Sequence, residues 1–156
     1  MKDQRRGRRI SMTGEERNEF LSSERTCRVA TVNRDGSPHV TPLWFVWDGE
    51  SLWLTSITQS QRWENLQRDG RVAVVVDGGD EFMELRGVEL NGSAVPVGEV
   101  PRTGEANVAL EIPEQLFAEK YVGGRVQYDG RHAWLRVRPD KIVSWDFRKI
   151  QSPGSN

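Results

Sequence analysis

Two Asp-Gly dipeptides, Asp35-Gly36 and Asp48-Gly49, punctuate three short apolar stretches: Val29 to Val32, Val40 to Trp47 and Leu52 to Ser56. Asp-Gly favours the positive φ angles of tight hairpins, so the pattern predicts three strands in an antiparallel meander. A polar helix is expected around Ser60 to Arg68. The continuous run Arg71 to Asp77 then reads as a strand covered on both faces. Beyond a Gly78-Gly79-Asp80 turn, Phe82 to Val97 reads as another strand, and His132 to Val137 and Ile142 to Phe147 as the last two. Many short antiparallel strands with few helices favour a closed or nearly closed barrel, because closure removes exposed sheet edges. The fold class expected is mainly β.

The chain has 156 residues, the size of one ordinary domain with a core of its own. Residues 1–12 begin with Lys2, Arg5, Arg6, Arg8 and Arg9 against Asp3 alone, and are expected to form a flexible basic arm. Residues 13–150 form the barrel domain and residues 151–156 a polar tail. Thr13 and Glu16 have capping-box spacing, which predicts a short helix closed by Phe20 and Leu21 as a lid on the core. Residues 98 to 113 mix Gly, Pro and charge and read as a long connection. Pro113 then suits the first position of a helix carrying Leu116, Phe117, Lys120 and Tyr121, with Gly123 to end it.

Charge and absent motifs exclude several functions. The 22 basic and 23 acidic side chains nearly cancel, which makes nucleic acid an unlikely partner. No apolar run approaches the roughly 18 residues of a membrane span, and no apolar stretch follows the basic start, so no membrane partner is expected and a cytoplasmic location is. Cys27 is the single cysteine, and His39 and His132 are the only histidines, neither at metal-ligand or triad spacing; no metal site is expected. There is no Gly-rich dinucleotide fingerprint or phosphate loop. The cluster Asp77, Asp80, Glu81 and Glu84 reads as a solvated turn. A chain with so little catalytic equipment, if it is an enzyme, relies on a bound cofactor for the difficult chemistry.

The Asp48-Gly49 hairpin sorts the aromatic residues by face. A two-residue loop would pair Phe45 with Leu52 and Leu43 with Leu54, giving an apolar face of Leu43, Phe45, Trp47, Leu52 and Leu54 for the barrel interior. The opposite face carries Pro42, Trp44, Trp53 and Thr55. Flat aromatic and small polar groups there are expected to meet another subunit or a flat ligand, the alternative being a second core layer under the helices. Just beyond, Thr55 and Ser56 end a strand and Ser60, Gln61, Arg62 and Asn65 open a helix. Its first N–H groups lack intrahelical partners and its dipole end is positive. Thr58 or Ser60 could cap it, with Gln61 reaching back to Thr58. Arg62 and Asn65 share one face, Trp63 and Leu66 an inward one. An ordinary capped surface helix has the same residues; a phosphate placed there would meet hydroxyls, amides and a guanidinium together.

The segment RVATVNRDGSPHVTPLWFVWDGESLWLTS followed by SQRWENLQRDGRVAVVVD resembles the pyridoxamine 5'-phosphate oxidase-like split-barrel superfamily. More narrowly it is similar to the flavin and deazaflavin oxidoreductase branch. The resemblance implies an FMN-binding type of split β-barrel, a homodimer, and a flavin-type cofactor in each groove between subunits, F420 first and FMN as the alternative. It implies that Pro42, Leu43 and Trp44 pass along the ring, that Thr55 and Ser56 approach ring or phosphate, and that Arg62 and Asn65 hold the tail, with Ser60 and Gln61 at the helix start. Trp145 would reach the partner's groove. Glu64 and Ser60 stand where relatives often carry basic residues; Arg68 or Arg71 could compensate. The function implied is hydride transfer from reduced F420 to a small conjugated or heteroaromatic acceptor. The alternatives are an FMN-dependent oxidoreductase and a non-catalytic binding protein for a flavin or tetrapyrrole.

Overall fold

A computed structural model describes residues 1–150; the polar tail expected at residues 151–156 lies outside the described residues. Six antiparallel strands close a barrel in the order β1-β2-β3-β6-β5-β4. They are β1 (Thr26–Val32), β2 (Pro38–Trp47), β3 (Leu52–Ile57), β4 (Arg71–Gly78), β5 (Arg86–Val97) and β6 (His132–Asp146). The meander expected from the Asp-Gly turns is β1 to β3, and pairing of Val29 with Val74 and Ala30 with Ala73 closes the ring.

The hairpin register differs from the expected one. Phe45 faces Leu54 and Trp47 faces Leu52 across a four-residue loop. The Asp48 carboxylate widens it by accepting from the amides of Glu50 and Ser51 at 2.8 and 2.7 Å. Two extra loop residues shift the pairing without exchanging faces, since side chains alternate with period two. Phe45, Trp47, Leu52 and Leu54 accordingly lie in the barrel core with Leu43 packed against it. On the other face Val46, Trp53 and Trp134 form a second apolar cluster with Leu110. Trp53 thus belongs to a second core layer, whereas Trp44 remains open.

β4 is covered on one face rather than two: Val72, Val74 and Val76 are buried and Ala73 and Val75 half-buried. The two strands expected at the end are one. β6 runs through Pro139 because Asp140 bulges out, where pairing passes from Asn91 with Lys141 to Gly92 with Pro139. Gly92 is required there, since a Cβ would collide with the Arg138 carbonyl.

Three helices decorate the barrel: α1 (Gly14–Ser23), α2 (Gln61–Arg68) and α3 (Val108–Phe117). α1 has the expected capping box and buries Phe20 and Leu21. α3 starts earlier than expected, capped by Asn107, with Pro113 inside it, and continues as a wider turn over Ala118–Val122 until Gly123, at φ 75°, ends it. The basic arm expected to move freely is held at several points along β6. The Lys2 amide donates to the Asp140 carbonyl at 2.7 Å, Gln4 bonds the Ser144 backbone, and the Met12 amide donates to the Ser144 hydroxyl. Gln4, Ile10 and Met12 face the barrel while the arginines face water. Among the described residues no helix is long and apolar enough to cross a membrane.

Candidate functional site

Where β2, β3 and α2 meet the segment after α3, a cleft of about 450 Å³ is lined by Pro42, Leu43, Trp44, Thr55, Ile57, Arg62, Phe117, Gln127, Asp129 and His132. Alternation puts Pro42, Trp44 and Thr55 on the outward side of β2 and β3. The start of α2 then delivers Arg62 to the same place.

Arg62 is 9% exposed. Its Nε donates to the Ser56 hydroxyl at 3.2 Å and its Nη1 to the Thr41 hydroxyl at 2.6 Å. Burial pulls the guanidinium below the usual arginine range, yet arginine stays charged in proteins. Among the described residues no carboxylate pairs with it. A desolvated cation balanced only by two hydroxyls is an incomplete ion pair, and an anion in the cleft would complete it.

The neighbouring candidates have other tasks. Ser60 caps α2: its hydroxyl accepts from the Trp63 amide at 3.1 Å and donates to the Ile57 carbonyl at 2.8 Å. Gln61 reaches along the helix to Asn65 at 2.9 Å, not back to Thr58. Asn65 is fully buried and brackets α2 to the first hairpin, donating to Thr31 Oγ1 at 3.1 Å and Asn33 Oδ1 at 2.9 Å. Arg68 donates to the Val32 carbonyl and Arg71 pairs with Asp69 at 2.7 Å, which leaves Arg62 as the cation of α2 directed at the cleft. Trp145 lies outside the cleft, its ring against Gly87, where a Cβ could not fit.

The aromatic wall is more elaborate than the sequence indicated. Trp44, 47% exposed, stacks on Tyr121 with ring centres 4.4 Å apart and planes 10° from parallel. Phe117 tilts against both rings, and the Arg25 guanidinium lies 4.9 Å from the Tyr121 ring centre. The Tyr121 hydroxyl lies 2.7 Å from the carbonyls of Arg25 and Phe45, either of which can accept its one proton, and it accepts from the Phe45 amide at 3.2 Å; burial raises it to about 12. The stack is therefore fixed by hydrogen bonds at one edge, and the Trp44 ring remains partly open.

Thr41, Phe117, Tyr121, Gln127 and Asp129 were not among the candidates. His132 had been read as lacking a triad-spaced partner, but its Nδ1 lies 2.5 Å from Asp129 Oδ2. The available signal was a further Asp-Gly dipeptide, Asp129-Gly130, directly before a strand.

Comparison with known proteins agrees with this architecture. The family model described as "Pyridoxamine 5'-phosphate oxidase" matches residues 13–146. Comparison with curated proteins finds no significant match. Among solved structures, conserved hypothetical protein Rv2991 from Mycobacterium tuberculosis is 32% identical, covering 99% of this chain and 96% of that one, with a TM-score of 0.79. An F420 reductase is 28% identical over 80% of this chain and 94% of its own, at a TM-score of 0.59. The haem storage protein HutZ from Vibrio cholerae shares the fold at 16% identity, covering 85% of this chain and 95% of that one, with a TM-score of 0.66.

Proposed function

Because this chain belongs to the pyridoxamine 5'-phosphate oxidase family, we propose that it is an oxidoreductase that reduces a small conjugated or heteroaromatic acceptor with reduced F420. FMN is the close alternative coenzyme. The observation that carries this reading is Arg62, a buried cation without a carboxylate partner among the described residues, opening onto a cleft with a half-exposed tryptophan. Both coenzymes combine a flat ring with a phosphate-bearing tail, which is the combination those two residues would bind. The 28% identity to an F420 reductase favours the deazaflavin.

Arg62 would hold the anionic tail, with the Ser56 and Thr41 hydroxyls keeping its guanidinium aimed. Pro42, Leu43 and Trp44 would flank the ring, and Thr55 would approach its polar edge. Asn65 and Ser60 would act indirectly, by fixing α2. Reduced deazaflavin supplies a hydride when bound; the chain's part is to position donor and acceptor and to exclude water. A second copy would complete the groove. Val40, Ala30 and Ala73 form an apolar row in register across β2, β1 and β4, with Val40 64% exposed. Trp145 would reach from one copy towards the other's cleft.

Equilibrium titration with F420 and FMN, followed by hydride-transfer assays with whichever binds, tests the reading. Arg62→Ala should weaken coenzyme binding by about 1.5–3 kcal/mol, the usual worth of a hydrogen bond to a charged group. Arg9→Ala, on the basic arm, should leave affinity unchanged. Wild-type affinity in Arg62→Ala would remove the tail-binding role. Tight binding without turnover on any acceptor would move the protein to a binding function for flavins or tetrapyrroles.

A further inference from the structure

The cleft holds a pair of groups that coenzyme binding does not use. Asp129 Oδ1 accepts from the amides of Arg131 and His132 at 2.8 and 3.0 Å, and Oδ2 meets His132 Nδ1 at 2.5 Å. Two amides thus fix Oδ1, and Oδ2 is left for the imidazole. Those bonds, the Arg131 amide first, hold Asp129 down to about 2, so it is an anion wherever an imidazole titrates. An anion against Nδ1 keeps the ring proton on that nitrogen and leaves Nε2 as the atom that gives or takes a proton. The ring itself is anchored at the first residue of β6, where His132 pairs with Ile57 of β3 and its carbonyl accepts from the Arg102 amide at 2.8 Å.

The charged groups around His132 are few. Asp129 and Arg131 come from its own turn, and Arg62 comes from α2 across the cleft. Arg102 turns its guanidinium away, to Glu99 and Glu114. Among the described residues Asp129 is the only carboxylate lining the cleft and His132 the only imidazole.

We propose that His132, oriented by Asp129, is the proton donor of the reduction, and that the acceptor class is a conjugated carbonyl compound whose oxygen lies towards Nε2. This rests on the reading of the cleft as a hydride-transfer site. Such an acceptor takes a hydride, with its two electrons, from the reduced deazaflavin at its β-carbon. The carbon–carbon π bond breaks and its electron pair forms a new π bond between the α-carbon and the carbonyl carbon, while the carbonyl π pair moves onto the oxygen. The imidazolium Nε2–H bond breaks and the proton goes to that oxygen, giving an enol that tautomerises in water to the saturated carbonyl product. The acceptor has gained one hydride and one proton, the coenzyme is oxidised by two electrons, and the neutral imidazole regains its proton from water.

The test uses the full chain with His132→Gln and Asp129→Asn. In coenzyme-free protein, nitrogen chemical shifts of the neutral His132 ring should show the proton on Nδ1 in the wild type, and Asp129→Asn should abolish that preference. Coenzyme affinity by fluorescence titration should be unchanged within about twofold in His132→Gln, while kcat for an enone acceptor falls roughly 100-fold or more, the ordinary contribution of a general acid. The wild-type rate should fall as pH rises and the imidazolium is lost, and that fall should be absent in His132→Gln. A ring proton on Nε2, or a His132→Gln rate within threefold of wild type with the same pH profile, overturns the assignment while leaving the coenzyme reading intact. Failure of the wild type to bind either coenzyme overturns the coenzyme reading and this proposal with it.

Discussion

Cys27 shows how environment decides what a side chain can do. It sits in β1 beside Arg28, whose positive charge would favour a thiolate if the thiol were open to water. The structure buries it completely, and desolvation pushes its thiol up to about 12 despite the opposing pull of Arg62. At pH 8 only roughly one thiol in ten thousand would be ionised, and the thiolate is the reactive form. Native protein should therefore resist a maleimide or a disulfide reagent at pH 8, and one thiol per chain should react after unfolding; rapid labelling of folded protein would contradict the buried position. Arg62 illustrates the other side of legibility. Its residue type and place at a helix start were readable from sequence, because caps and dipoles act within one turn. Its partner Thr41 was not readable, because contact between β2 and α2 depends on how the barrel closes. Asn65 shares its helical face with Arg62, as spacing indicated, yet spacing could not reveal that Thr31 and Asn33 occupy its amide.

At the scale of elements, local chemistry was the most legible. The Thr13 capping box formed as spaced, with the Thr13 hydroxyl accepting from the Glu16 amide at 3.1 Å and the Glu16 carboxylate from the Thr13 amide at 2.7 Å. The unforeseen part is tertiary: Lys149 reaches the same carboxylate at 2.6 Å. Lys149 first, then the Thr13 amide, holds Glu16 below its ordinary value of 4.5. A carboxyl lowered on folding contributes stability that is complete above the unfolded value and lost as pH falls through the folded one. Thermal melts should thus find Glu16→Gln less stable than wild type at pH 7, with the gap closing as pH falls below about 4.5; a gap independent of pH would exclude the charge as its source. α3 was harder to read because Val108 and Ile112 point into water, 83% and 60% exposed, so the apolar period was hidden and Pro113 looked like a beginning. β6 was split on paper by Pro139, since no sequence signal says that an Asp140 bulge and a facing glycine will carry a strand through a proline.

For the whole molecule, order of the meander and barrel class followed from turn dipeptides and alternation, which are short-range signals, whereas the strand count did not, because the last two expected strands are the single β6. Ring closure between β1 and β4 and the stack of Trp44 on Tyr121 join segments far apart in sequence, and only the folded chain shows them. The apolar row Val40, Ala30 and Ala73 argues for an assembly prediction: sedimentation at micromolar concentration should give twice the chain mass, and Val40→Glu should shift it towards one copy. A wild-type protein of single-chain mass would refute the shared groove. The six tryptophans carry a final consequence. Trp47, Trp53, Trp63 and Trp134 are all buried, Trp145 is half-covered, and Trp44 alone is open to water. Light emitted at the red edge of the protein's ultraviolet fluorescence therefore comes chiefly from the cleft wall, so the molecule carries its own optical reporter of whatever settles there.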